Sequence, residues 1–413
     1  MNIKSIIKTY VVCLSGIAFS LISLHAAGNE DYPVINSNEL LSSEELSSTY
    51  HRIDSINITD GYYQFEVESD IGHFSIFSLA LLKKRVNEMK TLGRAINLFE
   101  QENDEFSGKL RSELSVSGES AVDILTSPFS TASKLAGQIS SNLEGTLAGE
   151  DPYVDYVSGR DSYREPKDPT TAAHKRNIAF QLGLDLYSNN AKVQSFLNSV
   201  ANARSAGKVS AGIGLTNAYS QSNTSELDRK ISLAIKSNSL AELMDYNRQL
   251  LTNIRIKPEV ASAFIEHVYL SPTNKTTILV YLNEIKRVNK LGTFIELALT
   301  ANNEVMASVY TRLSKSLWSY YNDVERISVF INFKGQPAFI TQSRQFVLIE
   351  PADLLIWSSE KENQLIQFSK HAKKSGYQGW ELLGLGNVSS LTMQKLNELD
   401  YQIRDNFLSE FKN

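Results

Sequence analysis

The stretch with the clearest chemical potential is Gly384-Leu385-Gly386-Asn387-Val388-Ser389. It has the spacing G-x-G-x-x-S and lies between an apolar run and an amphipathic one. Asp405 follows about twenty residues on, near the position from which an acidic residue reaches a ribose in dinucleotide-binding folds. Glycines suit that chemistry because they let a backbone turn approach a pyrophosphate at a helix N-terminus. The eight residues after Asp405 cannot build a second mononucleotide-binding half. The expectation is therefore a strand-to-helix turn, with glycines supplying positive φ, Ser389 or Ser390 as N-cap, and no cofactor.

Other chemistries find less support. Ser117-Gly118-Glu119-Ser120 lacks the flanking glycines of a nucleophile elbow. H-E-x-x-H is absent, and no two of His25, His51, His73, His174, His267 and His371 have a local ligand spacing. Gly207-Lys208 is followed by Val209 where a phosphate loop needs Ser or Thr, and Asn202 stands where it needs Gly. Asp151, Asp155, Asp161 and Asp168 share one stretch without the calcium-loop spacing. Paired carboxylates for glycosidase chemistry depend on distance in space, which sequence does not give. No catalytic residue, cofactor or metal ligand is assigned.

The elements that would position any site come next. The chain has 413 residues and a net charge of −5, with 42% hydrophobic and 21% charged residues, a globular composition. The balance is acidic and the basic residues are dispersed, so nucleic-acid binding is not implied. Lys4 and Lys8 precede a short apolar run over 10–24, and His25-Ala26-Ala27-Gly28 offers small residues for cleavage. Residues 1–27 read as a secretory signal peptide. Removing Lys4 and Lys8 with it takes the net charge from −5 to −7. Cys13, the only cysteine, lies inside that segment, so the mature chain has no thiol or disulfide chemistry. The implied location is the periplasm or outer envelope of a Gram-negative bacterium.

Residues 28–50 are polar and Ser/Glu-rich and read as a mobile leader. Residues 51–150 begin with a hairpin turning at Asp60-Gly61, with Tyr63, Phe65 and Val67 on one face. A strand after Gly72 follows, then a helix over 79–106 whose buried stripe is Leu82, Val86, Met89, Leu92/Gly93, Ile96 and Phe99. Residues 151–324 form a helical domain. Its clearest punctuation is Asp168-Pro169 as a helix start and Gly183 as its stop, before a second helix bearing Val193, Phe196, Leu197 and Val200. From 325 the period changes to two, predicting a small α/β domain over 325–413 that folds by itself. The fold class is α+β: an N-terminal β-hairpin with a long helix, an all-helical middle and a small C-terminal α/β module.

Residues 115–149 differ in kind. Val122, Leu125, Phe129, Leu135, Ile139, Leu143 and Leu147 form an apolar face opposite Ser, Thr and Gly. Such a face packs on the 79–106 helix or contacts a membrane or partner; with few charges, lipid binding would rest on apolar insertion.

The hairpin-to-helix start, GLDLYSNNAKVQ over 183–194, LSPTNKT over 270–276 and PADLLIW over 351–357 resemble a family of secreted proteobacterial proteins of unknown function. The resemblance implies envelope localisation and no catalytic residue. The expectation is a non-enzymatic binding or scaffolding protein of the cell envelope, peripheral to a membrane, with a protein or membrane-surface partner. The alternative is a periplasmic hydrolase whose site is assembled from distant residues.

Overall fold

The structure, a computed structural model, describes residues 30–116, 165–209 and 225–409. It is an α+β protein. The segment expected as a mobile leader carries α1 (Ser37–Leu40), α2 (Ser43–Leu46) and β1 (Ser47–Ser48). Its Ser and Glu residues are capping chemistry: Ser42 and Glu45 form a reciprocal capping box on α2. Leu41 is buried in the core. Glu30 is tied to the far end of the chain, donating its N–H to the Trp357 carbonyl at 2.7 Å.

Strands β1, β2 (His51–Thr59), β3 (Tyr62–Ser69) and β4 (Gly72–Phe77) form an antiparallel sheet in sequence order. Its hairpin turns through Asp60 and Gly61 with φ of 51° and 80°, the left-handed pair that matches strand twist. Tyr63, Phe65 and Val67 are buried, as the alternation predicts. Helix α3 (Leu79–Glu102) buries every side chain of its expected stripe. It stops short of 106 because Asn103 leaves the helix and accepts the Phe106 N–H at 3.0 Å, starting α4 (Asp104–Val116).

Helices α5 (Pro169–Leu182) and α6 (Ala191–Ser205) pack on one another. The expected punctuation is present. Asp168 accepts the Thr171 N–H at 2.7 Å, and Gly183 closes α5 at φ 66°. The helical middle continues with α7 (Glu226–Ser237), α8 (Leu240–Asn253), α9 (Pro258–Glu266), α10 (Pro272–Glu284), α11 (Leu291–Ala298) and α12 (Glu304–Ser319). A π-turn, Tyr320–Val324, leads into β5 (Ile327–Phe333), β6 (Gln336–Thr341) and β7 (Gln345–Glu350). After β8 (Leu354–Leu355) come α13 (Ser359–Lys374), β9 (Gly379–Gly384), β10 (Asn387–Val388), α14 (Ser390–Glu398) and β11 (Gln402–Arg404). The second sheet has the order β11-β9-β7-β6-β5, an antiparallel meander extended by two parallel crossovers; β8 and β10 form a separate parallel pair.

This sheet is apolar on both faces. Phe346, Leu348 and Leu382 pack with Leu365 and Phe368 of α13 and Leu396 of α14. Phe330, Phe339, Val347, Ile349 and Leu383 join the core that runs through the helical middle to the N-terminal sheet. Asn289, in the loop between α10 and α11, bridges to Val329 at the β5 edge. The change of period at 325 marks a change of secondary structure, and one hydrophobic core continues across it. Among the described residues, no helix is long and apolar enough to cross a membrane.

Candidate functional site

GLDLYSNNAKVQ and LSPTNKT, two of the stretches that carry the resemblance, meet in space. After Gly183, the Asp185 side chain accepts the Tyr187 N–H at 3.0 Å and the Thr273 hydroxyl at 2.5 Å on one oxygen. Its other oxygen accepts the Lys84 ammonium at 3.0 Å. Thr273 lies in the first turn of α10, fixed by a capping box in which Ser271 and Asn274 each accept the other's N–H. Asn274 also donates to Thr311 of α12 at 3.0 Å.

Around these residues opens a cleft of about 380 Å³. Its apolar wall is Leu81, Phe180, Leu184, Leu186, Ile231 and Ile235. Its polar groups are Lys84, Arg176, Asp185, Lys236, Glu304 and Arg312, with the hydroxyls of Ser232, Thr277, Ser308 and Thr311. Helices α3, α5, α7, α10 and α12 therefore all contribute.

Under the cleft lies a buried ionic network. Arg85 donates to Glu88 at 2.7 Å and to Glu304 at 2.5 Å. Glu88, which is 2% exposed, also accepts the Ser188 hydroxyl at 2.7 Å and the Asn190 amide at 3.0 Å. Burial alone would lower the Arg85 pKa; the Glu304 and Glu88 carboxylates outweigh it and raise it well above the guanidinium value. The same contest raises Lys84, where burial is overcome by Asp185, Glu88 and Glu304. Burial would raise Asp185, yet Lys84 and Thr273 hold its carboxyl below the usual value. Lys84 and Asp185 are thus locked in their charged forms at neutral pH.

PADLLIW supplies the alignment. The buried Asp353 carboxylate accepts the Leu79 N–H at 2.9 Å and the Tyr63 N–H at 3.4 Å. Arg312 of α12 stands 3.6 Å away. A residue 274 positions downstream thus caps the helix that carries Leu81, Lys84 and Arg85. Burial raises the Asp353 pKa, against Arg312 and these two N–H donors.

The G-x-G-x-x-S turn does different work from that expected of its glycines. Neither Gly384 nor Gly386 has positive φ. A Cβ on Gly386 would stand 2.3 Å from the Asp353 carbonyl oxygen, so the glycine permits close approach to the chain's own backbone. Ser389 is the N-cap of α14, as expected. The Glu30 carboxylate sits beside it, accepting the Ser389 hydroxyl at 2.7 Å and the Trp357 N–H at 2.8 Å.

The histidines are scattered. His51 bonds Ser48 and the Glu45 carbonyl, and His267 bonds the Leu299 carbonyl at 3.0 Å. Strand register brings His73 beside Asp54 and Glu68 on the exposed face of the first sheet, a grouping that local spacing does not reveal. There Asp54 is paired with Arg52 at 2.7 Å, and His73 with Glu66 at 3.0 Å. Val122, Leu125, Phe129, Leu135, Ile139, Leu143 and Leu147, expected as a membrane or partner face, lie outside the described residues, as do Asp151, Asp155 and Asp161.

No family model, curated protein or solved structure matches this chain.

Proposed function

We propose that this is a secreted cell-envelope binding protein, and that the cleft between α3, α5, α7, α10 and α12 holds its ligand. The observation that carries the reading is the cleft's composition: an apolar wall of pocket size over a floor of ions that are already paired. General acid–base catalysis favours groups that titrate near the working pH. Lys84 and Asp185 are held away from it in opposite directions. Such a floor fixes the shape of the cleft and leaves the apolar wall to supply affinity. The reading retains export through residues 1–27 and a membrane-surface or protein partner for residues 115–149.

The test is titration of the mature protein with N-phenylnaphthylamine, a neutral apolar fluorophore. Saturable enhancement is expected for the wild type. Ser232→Trp, which fills the cleft from a partly exposed helix position, and Ile235→Arg should both lose it while keeping the wild-type Tm. Equal enhancement in all three proteins would refute the reading.

A further inference from the structure

The charges on the cleft wall narrow the ligand class. Of its cations, Lys84 is paired with Asp185 at 3.0 Å, Arg176 with Glu165 at 2.5 Å, and Arg312 stands 3.6 Å from Asp353. Its two carboxylates are likewise countered, Asp185 by Lys84 and Glu304 by Arg85 at 2.5 Å. Lys236 differs. Its ammonium lies 4.0 Å from the centroid of the Phe180 ring, itself part of the apolar wall. Among the described residues it has no carboxylate within ion-pair distance. An aromatic face attracts a cation without neutralising it, and the ammonium keeps its hydrogen-bond donors. Among the described residues the cleft therefore presents one uncompensated positive charge at the edge of an apolar surface.

Resting on the binding reading, we propose that the ligand is a single-chain amphiphile with a monoanionic carboxylate head. The hydrocarbon lies along Leu81, Phe180, Leu184, Ile231 and Ile235, and the carboxylate accepts from Lys236. The match is in charge as well as shape. One unpaired lysine balances one negative charge, whereas a phosphate monoester brings roughly 1.5 to 2 and leaves the excess desolvated against the apolar wall. A cationic head would meet Lys236 directly, and a neutral alcohol would leave its charge unanswered.

The experiment is displacement of N-phenylnaphthylamine from the mature protein by dodecanoate, dodecyl phosphate, dodecanol and dodecylammonium, which share one chain. Dodecanoate is expected to displace the probe at about tenfold lower concentration than the other three, a difference of the size one retained ion contact gives. Lys236→Met keeps the apolar stem and removes the charge. It should bind probe and dodecanol as the wild type does and lose the preference for dodecanoate. Failure of the probe to bind the wild type would overturn the binding reading, and this inference with it. Probe binding without a carboxylate preference, or with one that survives Lys236→Met, would overturn only the ligand class. A preference for dodecyl phosphate would replace the carboxylate with a dianionic head and would also overturn it.

Discussion

Glu88→Gln is the most direct probe of the ionic floor. Three donors converge on the buried carboxylate: Arg85 at 2.7 Å, the Ser188 hydroxyl at 2.7 Å and the Asn190 amide at 3.0 Å. Glutamine keeps the shape and one acceptor oxygen, but removes the charge and turns an amide nitrogen toward groups that donate. A hydrogen bond to a charged group contributes about 1.5–3 kcal/mol and a neutral one about 0.5–1.5, so each bond weakens by about 1 kcal/mol. The three together give a loss of about 3 kcal/mol, the lower end of what breaking a buried ion pair costs. Urea denaturation measures it. With a slope of about 3 kcal/mol/M, the midpoint should fall by about 1 M. The control is Arg248→Ala, which removes an exposed pair with Asp245 whose side chains are 58% and 68% exposed; its effect should stay within about 0.5 kcal/mol. If Glu88→Gln lies within about 1 kcal/mol of the wild type, the network does not hold the floor of the cleft.

Burial and the neighbouring Lys275 lower the His267 pKa from 6.5 to about 4, against the Leu299 carbonyl, which favours the charged ring. The folded protein then binds fewer protons than the unfolded chain between pH 6.5 and 4. The stability that the neutral ring contributes is complete above pH 6.5 and is lost as pH falls to 4, by about 3 kcal/mol. His267→Gln, which keeps a donor for the Leu299 carbonyl, should flatten that part of the stability–pH curve; an unchanged slope would assign the loss to other groups. A fragment spanning 325–413 would expose Phe330, Phe339, Val347 and Ile349, which pack into the shared core. It is expected to show no cooperative thermal transition by circular dichroism, and a sharp one would establish an independent module.

What was legible in the sequence is what local chemistry decides. Asp168, Pro169 and Gly183 bound a helix through contacts within a few residues, and they do so here as their types require. The stripe on α3 and the alternation on β3 were legible because burial of one face imposes a period. Gly386 shows the limit: its type signals backbone freedom, but the cause is the Asp353 carbonyl, brought close only by the fold. The leader misled for a related reason, since Ser42 and Glu45 look the same in a disordered tail and in a capping box. The cleft was hidden because Lys84, Asp185, Thr273 and Glu304 come from separate segments and meet only once α3, α10 and α12 are packed.

The chain's one cysteine, Cys13, lies outside the described residues, and those residues join distant segments by other means. Here buried cations do part of that work. Lys192 donates to the Leu114 carbonyl of α4 at 2.6 Å, and Lys275 to the Ile265 carbonyl in the last turn of α9 at 2.6 Å. Lys275 satisfies an orphan helix carbonyl and places positive charge at the negative end of a helix dipole. Lys192 belongs to GLDLYSNNAKVQ and Lys275 to LSPTNKT, the stretches that also supply Asp185 and Thr273. Each of these segments thus contributes one residue that pins a neighbouring helix and another that builds the cleft. Mutating either lysine disturbs the frame, whereas Lys236 acts at the wall alone. That separation is what allows affinity and stability to be measured apart.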